Sequence, residues 1–338
     1  MKIVVAGRFE YIRFAWQEAI EDGSALYFTD GVFRPLTFGN KVRAKLESIL
    51  AKLFKEKATD FSARSALREY FDIDSLKKND EILFVVYETN FLSTDFRLLN
   101  FLKKSFPKAV FILHLTNAIG TVRDEATQLL LKNRDFYDLI YTFNKFDADK
   151  YGFRLFSDIS GNFDSIKAAD CEEFDVFFCG KDKGRLDQLL DFANQCISHD
   201  LKIRFHIVDV PKEKQVPVEG IYYNQPLPYQ EMLSYEKRGK AILNMMQGVS
   251  SSIGLREEEA MGLDKILITD DHYILDSGYY VEEKVILLED FENQMYKLKQ
   301  PPTPTPWHGQ EQRTNREAFL KRVHQDLENF TINIGDLK

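Results

Sequence analysis

Short apolar runs, typical of strands buried on both faces, recur along the first half of this chain, and helix-like stretches separate them. The strand-like runs cover residues 2–6, 25–28, 82–86, 110–115 and 139–143. Between the second and third runs, helical spacing occurs at Val42, Leu46, Ile49 and Leu53. Strands that alternate with helices in this way predict a parallel sheet covered by helices on both faces.

The same alternation starts again in the second half. Strand-like runs cover residues 174–179, 203–208, 241–243, 266–268 and 285–288, and helical spacing occurs at Leu186, Leu189, Leu190 and Ala193. The stretch 156–170, rich in Ser, Asp and Gly, is typical of a linker. The sequence therefore predicts two Rossmann-like, doubly wound α/β domains, the first over residues 1–160 and the second over residues 171–300.

The last part of the chain, residues 301–338, predicts a connector and a helix. Residues 301–307 read PPTPTPW, and proline lacks the amide hydrogen that a helix interior needs, so we expect an extended connector here. Helical spacing then occurs at Phe319, Val323, Leu327 and Phe330, which predicts a final amphipathic helix.

The composition restricts the partner and the compartment. The chain has 338 residues, 44% of them hydrophobic, and 45 basic against 53 acidic residues give a net charge of −8. This charge argues against broad nucleic-acid binding. The three cysteines have no CxxC spacing that would suit zinc, and no apolar run approaches the roughly 18 to 20 residues that span a bilayer. We expect a cytoplasmic protein that at most contacts a membrane peripherally.

Two strand-to-helix junctions of the second domain combine cations with small residues. Residues 180–185 read GKDKGR, and residues 251–259 read SSIGLREEE, which puts Arg256 in a first helical turn where backbone N–H groups are already unpaired. Because ligands of doubly wound sheets bind at the carboxyl ends of the strands, a diphosphate held from two sides would explain both junctions. The alternatives are a solvated charged turn and an arginine that only pairs with its acidic neighbours in solvent.

Two further residues of this domain fit a nucleotide. Glu259 lies three positions after Arg256, on about the same helix face, where a carboxylate could accept hydrogen bonds from ribose hydroxyls. Tyr229 belongs to the aromatic and proline-rich stretch 221–233, IYYNQPLPYQEML, a candidate wall for a stacked base. Such residues more often serve ordinary loop packing.

The first domain offers candidate general bases at the ends of its strands. Glu10, Glu88 and His114 could each take a proton from an acceptor hydroxyl, although His114 lies inside an apolar run that favours a core position. The first turn, AGRFEY, has a single glycine and lacks GxGxxG, which argues against a dinucleotide-dependent dehydrogenase or epimerase.

Two Asp-x-Asp pairs could in principle hold a divalent metal on a nucleotide diphosphate. Asp72 and Asp74 follow a helical run, and Asp147 and Asp149 follow a strand but lie in what reads as a helix start. Both positions favour structural roles, so we predict no metal site.

Three segments, read together and in order, resemble a known enzyme family. They are YDLIYTFNKFDADKYGFRLF (137–156), FFCGKDKGRL (177–186), and YEKRGKAIL with GLREEEAMGLDKILITDD (235–243 and 254–271). They are similar to bacterial glycosyltransferases of lipopolysaccharide-core and capsule synthesis with the two-domain GT-B architecture. The resemblance covers the domain junction and most of the second domain.

The resemblance implies two Rossmann-like domains facing across a cleft, with the final helix crossing back onto the first domain. It also implies that the second domain binds a nucleotide-sugar donor, with Lys183, Arg185 and Arg256 facing the diphosphate and Glu259 holding the ribose. The complete predicted donor-binding set is Gly180, Lys183, Arg185, Tyr229, Ser252, Gly254, Arg256 and Glu259. The candidate catalytic bases are Glu10 and Glu88.

The predicted function is metal-independent transfer of a sugar from a nucleotide diphosphate, UDP by family resemblance, to a hydroxyl of a glycan or glycoconjugate. Cations and helix N-termini would stabilise the leaving group, and no cofactor is implied besides the donor. Two alternatives stay open. One is a non-catalytic protein that binds a sugar nucleotide, since fold does not fix function, and the other is a metal-dependent glycosyltransferase that uses Asp147 and Asp149.

Overall fold

A computed structural model describes residues 1–29, 67, 73–78, 81–93, 95–119, 125–156, 161–246, 253–301, 305–308 and 316–335. Some predictions lie outside these residues. They concern the helix around Val42 to Leu53, Asp72 of the pair Asp72 and Asp74, and Ser252. The chain divides into two compact units. Unit 1 comprises residues 1–159 and 314–338, and unit 2 comprises residues 160–313.

Unit 1 is built on a six-stranded parallel sheet with the strand order β2-β1-β3-β4-β5-β6. Its strands are β1 (Lys2–Ala6), β2 (Ala25–Phe28), β3 (Ile82–Tyr87), β4 (Val110–Leu115), β5 (Leu139–Thr142) and β6 (Arg154–Leu155). Every residue of β3 is buried, as expected for a central parallel strand that packs on both faces. In the register, Ile3 of β1 lies opposite Ala25 and Leu83. The predicted parallel sheet is confirmed.

Two helices of unit 1 start at residues whose side chains satisfy free N–H groups of the first turn. The described helices before residue 160 are α1 (Glu10–Ala15), α2 (Gln17–Glu21), α3 (Ile73–Leu76), α4 (Phe96–Ser105), α5 (Glu125–Lys132) and α6 (Lys145–Tyr151), with 3₁₀ turns at 91–93 and 134–136. The Asp95 side chain accepts hydrogen bonds from the first turn of α4, and the Asn144 side chain does the same for α6. Both are favourable N-cap residues.

Unit 2 contains the second six-stranded parallel sheet, with the order β12-β11-β10-β7-β8-β9. Its strands are β7 (Val176–Lys181), β8 (Ile203–Val208), β9 (Ile221–Tyr223), β10 (Ala241–Asn244), β11 (Ile266–Thr269) and β12 (Val285–Leu287). Its helices are α7 (Leu186–Ser198), α8 (Tyr229–Arg238), α9 (Leu255–Gly262), α10 (Tyr273–Asp276), α11 (Phe291–Gln294) and α12 (Tyr296–Lys299). Four 3₁₀ turns lie at 163–165, 212–214, 282–284 and 288–290.

The final helix, α13 (Arg316–Gly335), belongs to unit 1. Phe319 and Val323 are buried in the core that covers one face of the unit 1 sheet. The ring of Phe319 meets Trp16 edge-on at 5.7 Å between centroids. The Tyr141 hydroxyl donates to Asp326 at 2.9 Å. The predicted return of the final helix to the first domain is therefore confirmed.

Two short edge strands, β6 and β9, were not predicted. They contain two and three residues, too few to establish a period in the sequence. No helix in the described part of the chain is long and apolar enough to cross a bilayer.

Candidate functional site

The order of strands in unit 2 locates a topological switch point between β7 and β10. In chain order within the unit, the sheet reads 3-2-1-4-5-6, so the connections from β7 and β10 leave in opposite directions. Such a reversal opens a crevice at the carboxyl ends of the two strands, where ligands of doubly wound sheets bind. The motif GKDKGR comprises the last two residues of β7 and the turn that follows, and α9 is the next described helix after β10.

The turn after β7 is tightly shaped. Lys183 and Gly184 have φ angles of 48° and 83°, the left-handed region that glycine adopts without strain. The Arg185 amide donates to the Asp182 carbonyl at 3.0 Å. The Asp182 carboxylate then accepts from the Leu186 amide at 2.8 Å, which satisfies one free N–H at the start of α7.

Arg185 is held at the switch point by backbone carbonyls and an aromatic ring. Its guanidinium donates to the Met245 carbonyl after β10 and to the Lys181 carbonyl at 3.2 Å, and it lies 5.2 Å from the centre of the Phe178 ring. Among the described residues no carboxylate forms an ion pair with it, and its buried Nε has no acceptor. Burial, together with nearby Arg256, lowers its pKa. The charges of Asp270 and Asp182 oppose this lowering, but neither carboxylate forms an ion pair with Arg185.

The absence of a side chain at Gly180 leaves room for the Arg185 guanidinium. A Cβ atom at Gly180 would lie 3.1 Å from the Phe178 ring and 3.3 Å from the Arg185 guanidinium. Burial lowers the pKa of the neighbouring Lys183, and the charges of Arg185 and Lys181 act in the same direction. The turn therefore concentrates positive charge.

Arg256 does not point into solvent. Its guanidinium donates to Glu236 at 3.0 Å, to Glu259, and to the Cys179 carbonyl at 2.9 Å. Both carboxylate side chains have 0% exposure, against 23% for Arg256. Burial opposes the charge on Arg256, but Glu259 and Glu236 outweigh it and raise its pKa. Arg256 does pair with an acid of its own helix, Glu259, but the pair is buried and also includes Glu236 from α8.

The two buried acids share one cation. Burial raises the pKa of Glu236 well above its ordinary value, and the charge of Glu259 raises it further. Burial also raises the pKa of Glu259, although Arg256 and the Tyr229 hydroxyl stabilise its charge. The carboxyls contact each other, and a proton held between them leaves one negative charge against one positive charge. We call Arg256, Glu236, Glu259 and Tyr229 the buried charge cluster.

The start of α9 has its own buried acid. Gly254 is the N-cap, and its amide donates to Glu257 at 3.0 Å. The Asn244 side chain, at the end of β10, donates to the same carboxyl. Burial raises the pKa of Glu257 to about 7, with Asp271 contributing. Gly254 is thus fixed next to the end of β10.

The predicted donor-binding residues fall into three groups. Gly180, Lys183 and Arg185 lie at the turn after β7, and Gly254 starts α9. Tyr229, Arg256 and Glu259 belong to the buried charge cluster, so a ligand that touches Arg256 or Glu259 must replace or share their protein partners. Ser252 lies outside the described residues, and the donor-binding roles of the whole set remain predictions.

Sequence reasoning missed Glu236. The signal was present, because Glu236 lies four residues after Met232 and three after Leu233, both buried on α8. An acid at a core position of an amphipathic helix needs a partner, and Arg256 is that partner.

In unit 1 the switch point lies between β1 and β3, and Glu88 follows β3. Its carboxylate accepts from the Thr116 amide at 2.8 Å, from the Thr116 hydroxyl at 2.7 Å and from Asn117 at 2.7 Å. Burial raises the pKa of Glu88, and these hydrogen bonds oppose the rise. The Asn90 side-chain amide donates a hydrogen bond to the Gly7 carbonyl at 3.0 Å. Polar groups therefore do gather at this edge of the sheet.

The other first-domain candidates differ in exposure. Glu10 is exposed at the first position of α1. His114 is 1% exposed and stacks on Tyr87 with the ring centres 5.1 Å apart, which matches its interpretation as a core histidine. The catalytic roles of Glu10 and Glu88 remain predictions.

The Asp147 and Asp149 carboxylates do not converge. Asp147 is buried and accepts from the Ile119 amide at 2.6 Å, whereas Asp149 pairs with Lys145 on the exposed side of α6 at 2.8 Å. Within the described residues, no three His, Cys, Asp or Glu side chains form a group that could hold a metal ion.

Comparisons with known proteins match the fold and not the sequence. No family model and no curated protein matches this chain. An α-glucosyltransferase solved with UDP-glucose and DNA containing an abasic site has a TM-score of 0.52 at 10% identity, covering 88% of each chain. The same type of enzyme, solved with UDP and a 13-mer DNA, has a TM-score of 0.51 at 10% identity, covering 88% of this chain and 89% of that one. A trehalose-6-phosphate structure from E. coli with UDP-2-fluoro glucose has a TM-score of 0.48 at 13% identity, covering 90% of this chain and 92% of that one.

The two likenesses with TM-scores above 0.5 agree with the fold described above: two Rossmann-like α/β domains of the GT-B glycosyltransferase type. They do not single out lipopolysaccharide or capsule enzymes. Because two of these structures were solved with DNA, the fold itself does not exclude nucleic acid, and the exclusion drawn from net charge stays a prediction.

Proposed function

We propose that this protein is a glycosyltransferase that moves a sugar from a nucleoside-diphosphate donor to an acceptor hydroxyl, and that unit 2 binds the donor. The observation that carries the proposal is Arg185. It lies at the switch point of a Rossmann-like sheet, it has no carboxylate partner among the described residues, and its buried Nε–H lacks an acceptor. A donor diphosphate would supply both a direct anionic partner and the missing acceptor.

In the proposed reaction, the bond between the sugar C1 and the diphosphate oxygen breaks, and a bond from C1 to the acceptor oxygen forms. The acceptor proton leaves to a base or to the departing phosphate. Arg185, Lys183 and the amides at the start of α7 would stabilise the charge that develops on the diphosphate. Glu10 and Glu88 remain the candidate bases.

The donor we propose is UDP-linked, and the acceptor is a hydroxyl of a glycan or glycoconjugate. The structural neighbours solved with UDP or UDP-glucose support the first choice. The motif resemblance to lipopolysaccharide-core and capsule enzymes supports the second. We propose no metal requirement, since Asp147 and Asp149 point to different protein partners. Cytoplasmic placement, with peripheral membrane contact for a lipid-linked acceptor, completes the proposal.

The test is isothermal titration of the whole protein with UDP, GDP and ADP, with and without EDTA. UDP should bind in either condition. Arg185→Ala should weaken binding roughly 10- to 100-fold, the value of one or two hydrogen bonds to a charged group. Lys183→Gly, which keeps the left-handed backbone, should weaken it less.

Lys202→Ala is the matched control. It removes one exposed positive charge from unit 2 at the amino end of β8, so it should leave binding unchanged. The absence of binding by all three nucleotides would overturn the proposal. Binding of UDP without sugar transfer to any glycan acceptor would instead favour the non-catalytic sugar-nucleotide-binding protein.

A further inference from the structure

The buried charge cluster contains an acid that the proposed reaction does not use. Glu236 lies on α8, its side chain has 0% exposure, and its Oε1 accepts from the Arg256 guanidinium at 3.0 Å. A buried carboxyl usually serves as a counter-ion or as a hydrogen-bonded neutral acid. Its surroundings decide between these two roles.

The charges around Glu236 favour the neutral acid. Two carboxyls, Glu236 and Glu259, face one guanidinium, Arg256. Tyr229 approaches Glu259 as a hydroxyl donor, and Cys179 presents a backbone carbonyl to Arg256. Two ionised carboxylates would leave an uncompensated buried negative charge, which is costly. A single retained proton makes the cluster neutral.

Hydrogen bonding assigns that proton. Glu236 Oε2 and Glu259 Oε1 are both buried without a hydrogen-bond partner among the described residues. Glu259 receives the Arg256 guanidinium and the Tyr229 hydroxyl as donors, whereas Glu236 receives only Arg256, so the proton is assigned to Glu236. As a protonated acid, Glu236 accepts from Arg256 through Oε1 and donates through Oε2 to the touching Glu259 carboxylate. Glu259 then carries the negative charge and receives Arg256, Tyr229 and Glu236 as donors.

The cluster is attached to the switch point. Arg256 donates to the Cys179 carbonyl, one residue before Gly180 on β7, and it begins the helix that follows Gly254. A change in the rotamer of Arg256 would therefore move groups on both sides of the crevice where Arg185 lies.

We propose that Glu236 is a positioning residue of the nucleotide site, and that it works as a neutral acid that fixes the side chains of Arg256 and Glu259. This inference rests on the proposed function for its binding consequence only. The neutral state of Glu236 has a readout that does not need a ligand.

The experiment compares Glu236→Gln, Glu236→Ala and the control Glu231→Ala, an exposed acid on the same helix. Glutamine copies a protonated glutamate, with one acceptor and one donor. Glu236→Gln should therefore bind UDP within about twofold of the unchanged protein, whereas Glu236→Ala should bind at least about tenfold more weakly while folded. Circular dichroism and urea unfolding establish that each variant is folded.

Infrared spectroscopy near pH 7 supplies the ligand-free readout. The difference spectrum between the unchanged protein and Glu236→Gln should contain the carbonyl band of a protonated carboxyl group. Absence of that band, or a loss of binding in Glu236→Gln as large as in Glu236→Ala, would overturn the neutral-acid role. Unchanged UDP binding in Glu236→Ala would overturn the positioning role. If the unchanged protein binds no nucleotide, the proposed function fails, and the infrared result still decides the state of Glu236.

Discussion

Single residues determine how unit 2 responds to pH, because several of its acids are buried. For Glu257, burial first and Asp271 next raise the pKa from an ordinary 4.5 to about 7. Between these values the folded protein keeps a proton that the unfolded chain has released. Stability contributed by this group is complete below about pH 4.5 and is lost as the pH rises through 7.

Glu257→Gln should therefore flatten the pH dependence of unfolding. In the unchanged protein this residue lowers the free energy of unfolding by up to about 1.4 kcal/mol per pH unit between pH 5 and 7, and the variant should lack that slope. Urea unfolding at several pH values measures the difference. Glu172→Gln, at an exposed position of unit 2, is the control. Equal slopes in both variants would show that Glu257 is ionised in the folded state.

Removal of the single cation from the buried charge cluster should be strongly destabilising. Arg256→Met leaves Glu236 and Glu259 without a positive charge, a loss of about 3–5 kcal/mol at pH 7. The loss should shrink at pH 5, because this pH lies close to the ordinary pKa of glutamate, so the two buried carboxyls can take up protons on folding at a much smaller free-energy cost than at pH 7. Arg238→Met, which removes a partner 3.7 Å from the exposed Glu173, should cost at most about 1 kcal/mol. A comparable loss in both variants would contradict the assignment of the cluster as buried.

The sequence could predict that Arg256 needs a partner but not which one. Glu259 was visible as a neighbour on the same helix face, whereas Glu236 is twenty residues away in the chain. Their contact depends on how α8 and α9 pack at the end of β7, and no local pattern encodes that packing. The position of Glu236 on the apolar face of α8 was the available signal.

Among the elements, the turn between β7 and α7 has a left-handed backbone at two consecutive residues, Lys183 and Gly184. Gly184 has a φ of 83° and no atom near its missing Cβ, so a side chain there would meet backbone strain and no clash. Gly184→Ala should destabilise unit 2 by about 1–2 kcal/mol, the cost of a left-handed non-glycine residue. Gly184→Asn should cost less, since asparagine tolerates this conformation. Thermal unfolding compares the two. If alanine costs no more than asparagine, the turn does not hold this conformation in solution.

The prediction of elements was most accurate where a strand coincides with a continuous apolar run. Strands β1, β2, β4 and β8 have the predicted limits, because continuous apolar runs are required in a parallel sheet buried on both faces. The two shortest strands lacked any such run. Their pairing to Tyr141 and Phe205 is set by neighbours that are distant in sequence.

At the scale of the whole molecule, unit 1 is completed by the far end of the chain. Phe319 of α13 has 0% exposure and packs against Trp16, Tyr141 and Phe156. The helical spacing near the end of the sequence predicted this helix, and the family resemblance predicted where it returns. The aromatic contacts that hold it could not be predicted, because they join positions separated by most of the chain.

Phe319→Ala should weaken unit 1 by about 3–5 kcal/mol, the usual cost of a buried phenylalanine. Hydrogen exchange should show lost protection in β1 and β5, while β7 and β8 keep theirs. Phe291→Ala is the matched variant in unit 2, since Phe291 is also 0% exposed and meets Phe192 at 4.7 Å. It should give the opposite pattern, with lost protection in β7 and β8.

The two variants together test whether each core supports its own unit. A ligand that binds unit 2 stabilises only those parts of the chain that unfold together with unit 2. UDP should therefore restore the hydrogen-exchange protection of β7 and β8 in Phe291→Ala. In Phe319→Ala it should not change the lowered protection of β1 and β5. Loss of protection in all four strands in either variant would mean that the chain unfolds as one cooperative body. In that case UDP should protect both variants equally, and the donor-binding unit would depend on α13 for its stability.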